Sequence, residues 1–313
     1  MLKNKVMSDF FAEKNWSGFS DLVNGETEFI PLISSEDEDR MNERRKLVEG
    51  RTDVAAHAFY RDDITALLAT KLSVELAHKT GHRLHILHLT SGIEADFLTD
   101  HCNLPSKTEG HPIITTEVLP QHLTFDETDV DEQGVRLQMN PPIRYKMDRE
   151  ILWKRLIDGT IQCIATDHAP HTLEAKAKGF PNAPSGMPGV ETSLAVMLNY
   201  VNQGKCSIED VVRWMSSNVA DCYRMIGKGK LEVGYDGDIV LVDMNHSAVV
   251  EDENSWTRVG WNPFRGRKLT GWPVLTVVEG IPVFERSAGT GQKGRLLVEP
   301  GAVGKPLLME PWK

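Results

Sequence analysis

Ile161-Gln162-Cys163-Ile164-Ala165-Thr166-Asp167-His168-Ala169-Pro170-His171 places a short apolar run directly before an acid and two imidazoles. Residues 161 to 166 have the apolar and β-branched character of a buried strand. In a βα barrel, active sites form at the carboxyl end of such strands. An Asp in that position can hold a metal ion or take a proton from water, and a nearby His can bind an anionic substrate. The competing reading is a loop cap, with Asp167 accepting backbone amides and the imidazoles satisfied at the surface. The motif alone leaves both readings open.

Upstream, short apolar runs alternate with longer amphipathic ones from about Glu26 to Gly204, the pattern of βα units around a parallel sheet. The strand candidates are Phe29 to Ser34, Arg83 to Leu89, Ile113 to Val118 and Ile161 to Thr166. Between the first two, Ile64, Leu67, Leu68, Leu72 and Leu76 recur at helical spacing, with Gly81 where the helix stops. Asp148 and Gly159 bracket another helix, and Val190 to Asn202 is a third, ending at Gly204. Ser207 and Asp210 form a capping box for the last. The acidic cluster Glu36 to Asp39 reads as a solvated helix start. From about Gly227, glycines punctuate β-prone runs such as Asp238 to Val242 and Val274 to Val278. The expected division is therefore a partial barrel over residues 1–226 and a β-sandwich-like lobe over 227–313.

The second site candidate is Leu84-His85-Ile86-Leu87-His88-Leu89. Alternation along a strand puts His85 and His88 on opposite faces, so only one points inward. His88, nearer the strand end, is the better metal ligand. A lone strand histidine is more often structural, so its weight comes from Asp167 on a neighbouring strand. Gln121-His122, Asn140-Pro141-Pro142 with Arg144, and Ser185 to Thr192 are compatible with a substrate pocket. Gly186-Met187-Pro188-Gly189 offers backbone amides just before a helix, and it reads equally well as a pair of rigid turns.

Thirty-five Lys and Arg against 45 Asp and Glu give a net charge of -10, which leaves no positive excess for nucleic acid. The apolar runs are strand-sized, well below the roughly 20 residues of a membrane helix. Residues 1 to 20 lack the apolar core of a signal peptide. Four scattered cysteines without a C-x-x-C pair argue against a disulfide framework and a zinc knuckle, so the expected compartment is the cytoplasm.

In this order, Leu84 to His88, Thr116 to His122, Met139-Asn-Pro-Pro-Ile-Arg144, Ala165 to His171, Ser185 to Thr192, Gly234 to Asp238 and Leu269-Thr-Gly-Trp-Pro273 resemble the bacterial dihydroorotases of the cyclic amidohydrolase superfamily. The resemblance spans roughly residues 30 to 285. It implies a (β/α)8 TIM barrel of the metal-dependent hydrolase type, present here as about its second half, N-terminally truncated, with a small C-terminal β lobe. It also implies zinc-activated, reversible hydrolysis of dihydroorotate to N-carbamoyl-L-aspartate in pyrimidine biosynthesis. By matching positions, His88 is a metal ligand and Asp167 binds metal and shuttles the proton. Asn140, His171, Pro188 and Gly189 hold the substrate.

Two departures weigh on that expectation. No His-x-His precedes Phe29, and the family's His-x-Glu-Asp-Glu is Ser34-Ser35-Glu36-Asp37-Glu38, so Ser34 replaces a histidine ligand. Four parallel strands do not close a barrel of eight and leave two edges. Three readings follow: an enzyme that is weak or inactive as an isolated chain, alone or as a homodimer; a non-catalytic scaffold partner of aspartate transcarbamoylase; and a hydrolase of another cyclic amide, as in allantoinases or dihydropyrimidinases. Asn-Pro-Pro-Ile-Arg and Gly-Trp-Pro favour dihydroorotase over the third.

Overall fold

The computed structural model describes residues 32–34, 36–102, 112–287, 292–299 and 301–309. The expected strand residues Phe29 to Pro31, Ser35 and the amino-terminal segment Met1 to Gly25 lie outside them. The parallel part runs β1 (Leu32–Ile33), α1 (Glu38–Arg45), α2 (Ala55–Tyr60), α3 (Asp63–Thr80), β2 (Leu84–Ile86), α4 (Gly92–Leu98), β3 (Ile114–Val118), α5 (Pro120–Thr124), α6 (Glu127–Gln133), α7 (Lys146–Ile157), β4 (Cys163–Ile164), α8 (Leu173–Lys176), α9 (Ser193–Asn202), α10 (Ile208–Val212) and α11 (Asn218–Tyr223). An antiparallel part follows: β5 (Ile239–Val249), β6 (Lys268–Val278), β7 (Ile281–Glu285) and β8 (Arg295–Leu296).

The first sheet has the order β1-β2-β3-β4, all parallel, with each strand beside its neighbour in sequence. Every crossover carries a helix, as parallel pairing demands. All residues of β2, β3 and β4 are buried, the condition of strands covered on both faces. No described helix is long and apolar enough to cross a membrane.

The helix boundaries follow local chemistry. Asp62 caps α3 by accepting from the Thr65 amide at 2.9 Å, and Gly81 ends that helix in the left-handed conformation. Asp37 caps α1, so the acidic cluster is a helix start. Helix α7 begins two residues before Asp148, because that carboxylate closes a capping box with Tyr145 and also accepts the Gly92 amide at 2.7 Å. The expected box at Ser207 and Asp210 is present on α10, which continues through a π-helical turn, Arg213–Ser217, into α11.

Helix α3 buries mostly its smaller side chains. Ile64 and Leu68 are 36% and 44% exposed, whereas Thr65, Ala66, Thr70, Ser73, Val74 and Ala77 are buried. Smaller side chains let α3 approach α4, where the Thr70 hydroxyl donates to the buried Glu94 carboxyl. Of the apolar set, Ile64 and Leu68 are thus exposed, Leu67 and Leu72 half-buried and Leu76 buried.

In the antiparallel sheet β5-β6-β7-β8, the inner face packs on α9 rather than on a second sheet among the described residues. Thr270 donates its amide to Asn199 Oδ1 at 3.0 Å, and Asn202 Nδ2 reaches the Thr270 and Met244 carbonyls at 2.9 and 3.0 Å. Gly271, at φ 101°, makes this contact possible, since a Cβ there would lie 2.7 Å from Leu198 Cβ. Ala248, Trp261, Phe264, Leu269 and Trp272 join the same core cluster as Ile86, Ile114 and Val118.

Candidate active site

The carboxyl end of the parallel sheet carries the chemistry. His88 and Asp167 follow β2 and β4, and both hold positive φ, 38° and 41°. Left-handed backbone at a non-glycine residue costs of order 1 kcal/mol and persists where the surroundings impose it, most often at functional sites. Between them, β3 presents Glu117, whose Oε1 accepts the His88 amide at 3.3 Å and whose Oε2 lies 3.1 Å from His85 Nε2. Burial raises the Asp167 carboxyl above the usual carboxylate range; the His88 imidazole opposes that shift and the Glu117 carboxylate adds to it. Asp167, His88 and Glu117 therefore form one electrostatic group.

His85 and His88 do not divide between the two faces as strict alternation requires. The strand ends at Ile86, and the turn at His88 releases the chain from that alternation, so both histidines contact Glu117. His85 is fully buried, with Nδ1 2.8 Å from Thr115 Oγ1 and 3.4 Å from Cys222 Sγ. It thus belongs to the sheet interior, with Glu117 between it and the sheet end.

The remaining candidates lie in loops that follow the strands. His168 Nδ1 accepts the Gly189 and Val190 amides at 3.1 and 3.3 Å, pinning the Met187–Val190 turn beside Asp167. The Gly189 amide is thus engaged within the protein. A Cβ at Gly189 would lie 2.6 Å from the Thr166 carbonyl, and one at Gly186 2.4 Å from the Ala169 carbonyl, so both glycines are required by close backbone approach. Pro188 is buried in the same turn. His171 Nε2 lies 3.1 Å from the Ser185 carbonyl, and its own carbonyl accepts from Trp261 Nε1 at 2.7 Å. Asn140 is exposed, precedes a cis proline and hydrogen-bonds His57.

Sequence reasoning passed over Glu117, His57 and Lys176. The first was legible: Thr115 and Glu117 alternate on the face of β3 that meets His85. The other two become site neighbours only through folding. His57 is held neutral, its pKa pushed down to about 3 by burial and by the positive charges of Arg61, Arg144 and Lys176. His122 is likewise lowered to about 3, by burial and then by His88.

The fit to a metal is partial. His88 Nδ1 is buried without a hydrogen-bond partner, the state of an imidazole nitrogen that lacks a ligand, and Asp167 supplies an adjacent carboxylate. Ser34, exposed just after β1, offers only a hydroxyl at the next strand end. Among the described residues no three His, Cys, Asp or Glu side chains converge on a point where they could hold a metal ion.

Comparisons with known proteins identify the family. The amidohydrolase family model matches residues 16–283. A dihydroorotase of Halobacterium salinarum is 33% identical over 85% of this chain and 60% of its own length. That of Anoxybacillus flavithermus is 36% identical over 69% and 49%. Among solved structures, the L-hydantoinase (dihydropyrimidinase) of Arthrobacter aurescens superposes with a TM-score of 0.78 at 28% identity, covering 87% of this chain and 59% of that one. The dihydropyrimidinase of Brevibacillus agri gives 0.77 at 26% identity. The chain spans about half to three-fifths of the length of the proteins it resembles. Motif order, the paired sheet-end residues His88 and Asp167 and the extent of the match together identify the chain as a member of the amidohydrolase family.

Proposed function

We propose that the chain carries the carboxyl-terminal half of a dihydroorotase-type site, in which the four parallel strands are half of a (β/α)8 barrel. The substrate class is a cyclic amide, with dihydroorotate and water on one side and N-carbamoyl-L-aspartate on the other. The observation that carries this reading is the pairing of His88 and Asp167 in strained backbone at one sheet end, with the Glu117 carboxylate between them.

Asp167 is the proton carrier: a carboxylate whose affinity for a proton is raised by burial accepts it from the attacking water and returns it to the departing ring nitrogen. Asn140 and His171 hold the substrate's carboxylate and ring, and the Met187–Val190 turn, fixed by His168, forms the wall beside them. His88 and Asp167 are two of the donors that zinc requires. The described residues do not complete the set, so no step is assigned to a metal and the isolated chain is expected to turn over weakly or not at all.

Ser34 favours a second reading. With a hydroxyl where the family places an imidazole, the chain serves as a non-catalytic scaffold, for which aspartate transcarbamoylase is the expected partner. Hydrolysis of dihydroorotate, dihydrouracil and hydantoin by the whole chain, with and without zinc, separates the two. Turnover of dihydroorotate that falls at least about 100-fold in Asp167→Asn supports the enzyme; equal rates in both chains leave the scaffold. Preference for hydantoin or dihydrouracil corrects the substrate.

A further inference from the structure

A cavity of about 640 Å³ lies beside the candidate active site. One side is built by α1, the turn after it and α2; the other is built by the loops carrying Gln138, Asn140 and Phe180. His88, Asp167 and His171 do not line it. Its size suits a small organic ligand, and its walls differ sharply in chemistry.

One wall is aromatic. Tyr60 and Phe180, each 8% exposed, form with Val48 and Ala56 an apolar cluster separate from the main core. The His57 ring meets Tyr60 edge-on at 5.5 Å and lies 6.1 Å from Phe180. The rim is cationic. Arg45 and Lys46 are exposed and have no ion-pair partner among the described residues, and the Arg45 guanidinium lies 5.3 Å from the centre of the Tyr60 ring. Arg51 is engaged by Asp53, and Glu49 is the one acid on the lining.

The floor holds an unmet acceptor: Gln138 Oε1 is buried with no hydrogen-bond partner, while Nε2 of the same amide donates to the Ala183 carbonyl at 2.8 Å. Such an orphan in a protein interior calls for a donor. Positive charge also lies behind this floor. Among the described residues, Lys176 is satisfied by the Gln138 and Pro184 carbonyls, at 2.8 and 2.9 Å, and one Arg144 nitrogen is buried without a partner.

From the aromatic wall, the cationic rim and the buried acceptor together, we propose that this cavity binds a nucleoside monophosphate. The phosphate sits between Arg45 and Lys46, where guanidinium and ammonium donors match its oxygens. The base lies against Tyr60 and Phe180, as bases do on aromatic side chains. An N–H of the base donates to Gln138 Oε1. The cavity shares Asn140 with the proposed substrate site, but the nucleotide contacts use neither His88 nor Asp167, so their failure and that of the hydrolytic reading are distinguishable.

Calorimetric titration of the whole chain with adenosine, cytidine and uridine 5′-monophosphates tests it, with the free nucleosides and inorganic phosphate as controls. The expected result is saturable binding of at least one monophosphate, at least about tenfold tighter than its nucleoside or phosphate alone. Arg45→Ala is expected to weaken that binding about tenfold or more, and Lys46→Ala by a smaller factor. Both side chains are exposed, so thermal unfolding should match the parent and show that loss of binding is not loss of fold. No saturable binding at millimolar nucleotide overturns the proposal, as does binding unchanged in both variants. Phosphate binding as tight as the nucleotide overturns the assignment of the aromatic wall.

Discussion

The two sheets of this chain follow opposite rules. Every residue of β2, β3 and β4 is buried, whereas β5 alternates exposed and half-buried positions along most of its length, and its first three residues, Ile239 to Leu241, are exposed. The parallel strands need helices on their crossovers, and those helices seal the sheet. The antiparallel strands need no helical crossover and need cover on one face only, which α9 supplies. Sealing the first sheet concentrates the polar groups that remain inside it. His85, Thr115, Glu117 and Cys222 satisfy one another, while His88 Nδ1, at the carboxyl end of the sheet, is buried without a partner. The antiparallel sheet has water on one face and builds no comparable cluster among the described residues.

Truncating each sheet puts this contrast at risk. Ile114→Ala in β3 removes a fully buried side chain and is expected to cost about 2–5 kcal/mol in urea unfolding. A loss below about 1 kcal/mol would mean that the parallel sheet is not the sealed core described. Gly271→Ala tests the joint between the two sheets. With φ at 101° and Leu198 in the way, it should cost about 1–3 kcal/mol, and an unchanged melting profile would uncouple the lobe from α9.

Asp62→Ala should cost about 1 kcal/mol through loss of the α3 cap. Partial burial works against the Asp62 charge, yet Arg40, 2.5 Å away, with Thr65 and Arg44, holds the carboxyl well below the usual carboxylate range. A lowered folded-state pKa gives stability that is present above the unfolded value of about 3.9 and is lost as pH falls through the folded value. The gap between parent and variant should therefore be constant near neutrality and shrink in acid. A gap that widens in acid would contradict the ion pairing. Val240→Ala on the exposed stretch of β5, where Val240 is 45% exposed, should stay within about 0.5 kcal/mol. A cost comparable to that of Ile114→Ala would erase the contrast.

Much of the site was legible because it sits where strand meets loop. Ile161 to Thr166 is strand-like and Asp167 ends it, so its place at the sheet end follows from local pattern. The role of Glu117 was within reach of the same alternation. The burial of α3 was not, because Ile64, Leu67, Leu68, Leu72 and Leu76 obey helical spacing whether or not each is covered, and of these only Leu76 is buried. Helical periodicity identifies an apolar face; it does not name the neighbour. Here the neighbour, α4, selects the smaller face through Thr70 and Glu94.

By itself, the sequence determined the alternation of strands and helices, the caps at Asp62 and Ser207, the change to β structure after Gly227 and the motif order that marks the family. These depend on neighbours a few residues apart, where backbone sterics and capping hydrogen bonds act. Tertiary structure alone decided that His85 and His88 share Glu117 and that Gly189 is closed by Thr166 and His168. It also decided that Tyr60, Phe180, Arg45 and Gln138 enclose one cavity. Those contacts join residues tens of positions apart, and a cavity exists only once packing has determined which side chains face it.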